Sequence, residues 1–217
     1  MSRLLYLLLC CLLLAQAGYA QQSGNGVQLS HYIFDQFSKG TVHFKSGSIH
    51  EEELNYNSLT SEMIFNDHGK YLAITNANEI DTVTISGRQF VPAGKGFYEL
   101  LYAGPFPLFM EYTCTIKDPG ADIGFGMTTN TTATTQLKSL IQSGGAYELK
   151  LPDGFQPVPG HDFLIFRDGK FLPANNARQL GAALPDKKVW INQYIKDHHP
   201  DLTSKEDLTS LVRAAEQ

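Results

Sequence analysis

Between Glu53 and Ile116 the chain repeats one motif: a short run of alternating apolar and polar residues, then a tight polar turn, then another run. The runs are Glu53–Tyr56, Glu62–Phe65, Tyr71–Thr75, Ile80–Ile85, Gln89–Val91, Phe97–Tyr102 and Phe106–Ile116. Turns fall at Asn66-Asp67-His68-Gly69, Ser86-Gly87 and Ala93-Gly94-Lys95-Gly96. A parallel pair needs a crossover of roughly a dozen residues or more, and these intervals are too short for one. The spacing therefore predicts an antiparallel, locally connected sheet. The clearest run is Phe106 to Ile116. Phe106, Leu108, Met110, Tyr112, Cys114 and Ile116 share one parity, while Glu111, Thr113, Thr115 and Lys117 dominate the other. That is the pattern of a strand with one buried face, and it makes Cys114 a buried small hydrophobe rather than a reactive thiol.

Further strands are expected at Tyr147–Leu151 and in a hairpin, where Phe163–Phe166 turns through Asp168-Gly169 into Lys170-Phe171-Leu172. After Pro173 the period changes. Ala177, Leu180, Gly181 and Leu184 fall at helical spacing, and Trp190, Ile191, Tyr194 and Ile195 form the stripe of a second helix over about Asp186 to His198. Pro200 ends it. Thr203-Ser204-Lys205-Glu206 reads as a capping box ahead of a third helix striped by Leu208, Leu211, Val212 and Ala215. Strands followed by helices make an α+β fold: an antiparallel β-rich body over 41–173 and C-terminal helices over 174–217 on the same domain.

The N-terminus reads as an address. Met1-Ser2-Arg3 precedes an unbroken apolar run from Leu4 to Leu14, followed by small-residue exits at Ala15-Gln16-Ala17 and Gly18-Tyr19-Ala20. A spanning helix needs about 20 apolar residues, so this order reads as a signal peptide over 1–20, cleaved near Ala20. Residues 21–40 then read as a flexible lead. The expected localisation is exported, periplasmic or extracellular, with no integral membrane span in the mature chain. Cys10 and Cys11 leave with the signal and Cys114 is left alone, so stability rests on the core rather than on a disulfide. Losing Arg3 leaves 16 basic against 22 acidic side chains, a net charge of −6. That acidity, without any lysine- or arginine-rich stretch, argues against nucleic acid as a partner.

Catalytic signatures are sparse. His50-Glu51-Glu52-Glu53-Leu54 opens like a zinc-protease H-E-x-x-H, but Leu54 stands where the second histidine is required. On a strand, positions i and i+4 lie about 13 Å apart, too far to share one ion. These acids read as a solvated strand face. Gly124-Phe125-Gly126 is half of a dinucleotide fingerprint, and Asn130-Thr131-Thr132 a formal glycosylation sequon within a threonine-rich loop. His43, His50, His68 and His161 show no ligand spacing, and a helix C-terminus accounts for one of His198 and His199. Glu62, Asp67, Asp81, Glu99 and Glu111 could act together only if folding gathers them. Glu99, set between Tyr98 and Leu100, reads as a solvent-side strand residue. Tyr56, Tyr71, Tyr98, Tyr102, Tyr112 and Tyr147 all fall in strands, where tyrosine is a good strand former and, if exposed in a row, a platform for sugars or protein. No catalytic, cofactor-binding or metal-binding residue is assigned.

The blocks Leu54-Asn55-Tyr56-Asn57, Glu62-Met63-Ile64-Phe65, Ile80 to Ile85, Arg88-Gln89-Phe90-Val91-Pro92 and Phe97 to Leu101 resemble uncharacterised exported proteins of Bacteroidota-type bacteria. In those proteins a β-rich body is followed by a lysine-bearing helix, here Lys187 to Lys196, and a closing acidic-capped helix, here Thr203 to Ala215. The resemblance implies export and a β-rich fold, and carries no catalytic residue. Asp81-Thr82-Val83 also looks like the short sites that such bacteria O-glycosylate.

The resulting expectation is a non-enzymatic envelope protein that binds an envelope protein or a glycan. Two alternatives come from other classes. A glycan- or peptidoglycan-directed hydrolase would bring two acids within roughly 5–10 Å of each other. A small-ligand carrier would hold an apolar pocket of roughly 300 Å³ or more.

Overall fold

A computed structural model describes residues 29–117, 142–143 and 146–216. Residues 1–20, expected to be a signal peptide, Gly124-Phe125-Gly126 and the formal sequon at Asn130 lie outside the described residues.

Ten strands form one sheet: β1 (Ser38–Phe44), β2 (Ile49–Asn57), β3 (Glu62–Asp67), β4 (Lys70–Ala73), β5 (Ile80–Ile85), β6 (Arg88–Ala93), β7 (Gly96–Tyr102), β8 (Leu108–Lys117), β11 (Gln156–Arg167) and β12 (Lys170–Pro173). Their order is β12-β11-β8-β7-β6-β5-β1-β2-β3-β4, and the neighbouring strands run antiparallel. The short strands β9 (Gln142–Ser143) and β10 (Ala146–Tyr147) pair separately. Three helices close the chain: α1 (Ala177–Ala183), α2 (Lys188–His198) and α3 (Lys205–Ala214). The α+β class and the hairpin at Asp168-Gly169 are as the spacing predicts. Pro157 and Pro159 lie in the part of β11 that β12 does not reach. There they face an open edge, the place where a missing N–H costs no ladder bond.

The sheet is strongly curled. A flat sheet would hold β3 and β7, five positions apart in the order, about 24 Å from each other at roughly 4.8 Å per strand. Instead the turn before β7 touches the turn before β3: a Cβ on Gly96 would stand 2.3 Å from the Ser61 carbonyl oxygen and 3.0 Å from the Tyr56 hydroxyl. Inside the curl, Val42, Leu54, Tyr56, Met63, Ile80, Val83, Ile85, Phe90 and Phe97 form one core. Beyond it, on the same face, Leu108, Met110, Phe163 and Ile165 meet Leu180, Ile191, Leu208 and Leu211 of the helices. Phe109 alternates with Leu108 and Met110 and so faces the other way. It is buried there by rings of its own sheet, 5.1 Å from Phe171 and 6.5 Å from Phe166.

Several local expectations need correction. The segment expected to be a flexible lead is built into the fold from Leu29 onward. Leu29 and Tyr32 are buried, the Ile33 amide donates to the Tyr56 carbonyl at 3.1 Å, and β1 starts at Ser38 rather than after Gly40. Its apolar residues explain this, since Tyr32 and Phe37 pack with Ile64, Tyr71 and Tyr147 on the outer face of β3 and β4. The strand expected over Tyr147–Leu151 is only Ala146–Tyr147, and Leu151 instead plugs against Leu59 and Ile116. Cys114 is half-buried beside that plug, and burial raises its thiol pKa. The α3 cap is Ser204, whose hydroxyl accepts from the Asp207 amide, while the Thr203 hydroxyl donates to Asp201 at 2.7 Å.

Candidate functional site

Folding separates the five acids singled out above. Glu99 is buried, not solvent-side, because alternation along β7 places it with Phe97 on the inner face. Its carboxylate accepts two bonds from Arg88, at 2.7 and 2.8 Å, and one from the Tyr112 hydroxyl at 2.5 Å. The guanidinium lies 4.7 Å from the centre of the Phe34 ring and also bonds the Tyr112 hydroxyl. This clamp joins the two cores through the Arg88–Glu99 ion pair. Glu62 accepts from the Tyr147 hydroxyl at the far end of the curl. Asp67 pairs with His68 on an exposed turn, and Asp81 accepts from Thr82 at 3.0 Å.

Glu111 stands on the outer face, directly opposite Asp162 of β11. Burial raises its carboxyl pKa, Asp162 adds to that, and a hydrogen bond from Tyr98 opposes it. Asp162 is itself held by the Asn175 amide at 2.7 Å. The Glu111–Asp162 pair joins residues 51 positions apart and was not foreseen; only the strand register reveals it.

The histidines scatter as well. His43 and His50 sit on neighbouring strands but opposite faces, because His50 is the register partner of Val42. His161 meets the Thr203 carbonyl at 3.2 Å, and His198 the Tyr194 carbonyl at 3.1 Å. Among the described residues no three His, Cys, Asp or Glu side chains gather as metal ligands. Most of these tyrosines are tied down by contacts: Tyr56 is buried, with its pKa pushed up to about 12, and the Tyr102, Tyr112 and Tyr147 hydroxyls each meet a carboxylate.

What the curl does build is an apolar cup at the β1–β4 end of its inner face, a cavity of about 570 Å³. Val42 and His50 face each other across β1 and β2, as do Phe65 and Leu72 across β3 and β4. Phe44 packs on His50 with ring centres 5.0 Å apart. The strap after β4 contributes Ile74, Thr75 and Asn76 to the wall, and its Ile74 amide is anchored to the Met63 carbonyl at 2.9 Å. Glu52 also lines the cup. It shares parity with Leu54 and Tyr56, whose side chains are fully buried, so β2 turns Glu52 inward while Glu51 and Glu53 stay exposed. The expected solvated face is therefore correct for two of these three acids. Parity with Leu54 was the signal that could have singled out the third.

Compared with known proteins, the chain matches no family model, no curated protein and no solved structure. No described helix is long and apolar enough to cross a membrane.

Proposed function

We propose that this is an exported, non-enzymatic binding protein that holds a small, largely apolar ligand in the cup at the β1–β4 end of its curled sheet. The observation that carries this reading is the cup itself. Its volume lies within the roughly 300–1,000 Å³ typical of ligand sites, and it is concave and mostly apolar as such sites are. Val42, Phe44, Phe65, Leu72 and Ile74 supply an apolar wall, with His50, Glu52, Thr75 and Asn76 as the polar points that orient a ligand. Export rests on the Arg3, Leu4–Leu14 and Ala15–Ala20 sequence, and fits the carrier role, since moving apolar molecules through water requires a shielding protein. The hydrolase alternative is less favoured: Glu62, Glu99 and Glu111 lie in separate environments, and the facing pair Glu111–Asp162 stands on the outer face of the sheet, away from the cup.

The test is titration of the purified protein with the apolar fluorophore N-phenyl-1-naphthylamine, beside a Leu72→Trp variant whose indole projects into the cup and narrows it. Saturable enhancement by the wild type and its loss in the variant, with circular dichroism unchanged, is the expected result. Equal enhancement by both would place the fluorophore elsewhere and defeat the reading. N-terminal sequencing of protein recovered outside the cytoplasm tests export, with Gln21 as the expected first residue.

A further inference from the structure

The cup contains a single formal charge. Of the ten residues lining it, Glu52 is the one carboxylate and His50 the one imidazole, and no lysine or arginine borders the cavity. Glu52 is half-buried, and among the described residues it has neither a hydrogen-bond nor a salt-bridge partner. By contrast Glu53, the next residue on β2, accepts from the Asn66 amide at 2.8 Å. An unpaired carboxylate beside an apolar wall is a poor arrangement for stability alone, since partial desolvation is not repaid by a counter-charge. Two aromatic rings, Phe44 and Phe65, line the same cavity, and ring faces attract cations as the carboxylate does.

Resting on the carrier reading above, we infer that the cup selects a cationic amphiphile: an apolar chain bearing one amine or quaternary ammonium head, with Glu52 as its counter-ion. The chain occupies the space between Val42, Phe65, Leu72 and Ile74, and the head sits at Glu52. The same geometry disfavours an anionic head, which would meet a carboxylate with no lysine or arginine in the lining to offset it.

Isothermal titration with three ligands of equal chain length, decyltrimethylammonium, decanol and decanoate, separates head-group selection from chain binding. The cation should bind at least about fivefold tighter than decanol, and decanoate weaker than decanol by a similar factor. Glu52→Gln should bring the affinities of the cation and the anion together, the cation losing and decanoate gaining affinity relative to decanol. Decanoate binding as tightly as the cation, or a preference that survives Glu52→Gln, would overturn the inference and leave the carrier reading standing. Binding of none of the three, or binding that Leu72→Trp does not disturb, would overturn both.

Discussion

Arg88 and Glu99 form the most consequential side-chain pair in the described molecule. Glu99 is 4 % exposed, and its carboxylate is satisfied only through Arg88 and Tyr112. Removing the arginine strands a buried charge, which typically costs about 3–5 kcal/mol, whereas replacing both partners by apolar residues is often nearly neutral. Arg88→Met should therefore lower the unfolding free energy by about 3 kcal/mol in urea, and Arg88→Met with Glu99→Leu should recover most of it. A loss below about 1 kcal/mol for the single change would show that the clamp is incidental. His31 sets a pH response. It is 1 % exposed, and both ring nitrogens lack partners, so burial lowers its pKa from 6.5 to about 4. Above pH 6.5 the ring is neutral in the folded and unfolded chains alike. As pH falls from 6.5 to 4 the unfolded chain takes up a proton that the folded chain refuses, so stability drops, by up to about 3 kcal/mol. Between pH 7 and pH 4 the wild type should lose up to about 3 kcal/mol more unfolding free energy than His31→Phe; parallel curves would remove His31 from the acid response.

At the level of elements, the curl depends on backbone approach. Gly96 touches the Ser61 carbonyl so closely that a methyl group has no room, and backbone cannot swing aside as a side chain can. Gly96→Ala should push the β7 and β3 turns apart and destabilise the protein by about 1–3 kcal/mol. An unchanged thermal midpoint would mean the two turns are not in contact. The cap of α3 offers a second test. Ser204→Ala should cost about 1 kcal/mol, and Thr203→Ala less, because only the serine hydroxyl accepts from the helix at the Asp207 amide. The strands were legible in advance because short turns and alternation act locally: β5 spans Ile80–Ile85 as the alternation predicts. Glu99 is buried although a carboxylate on a half-exposed strand reads as solvent-side; its parity with Phe97 is the signal that places it inside. The Ser204 cap was missed because Thr203 and Ser204 offer equivalent hydroxyls, and only the chain direction after Asp201 decides between them.

For the whole molecule, function follows from curvature, and curvature was not legible. Alternation gives each strand an inner and an outer face but not the number of strands or the bend that turns an inner face into a cup. His50, Glu52, Phe65 and Leu72 come from three strands and meet only once the register is known. If the cup takes an alkyl chain, each methylene buried is worth about 0.8 kcal/mol, so affinity should rise about fourfold per carbon and then level when the cavity is full. Titration of the octyl, decyl, dodecyl and tetradecyl alcohols should show that rise and plateau, while a flat series would point to surface adsorption. The most direct test of the binding site is methyl-resolved NMR of the purified protein titrated with decyltrimethylammonium. The account predicts shifts confined to the methyls of Val42, Leu72 and Ile74, with Leu208 and Leu211 under the helices unmoved. Shifts centred on the helical core, or none at saturating ligand, would contradict it.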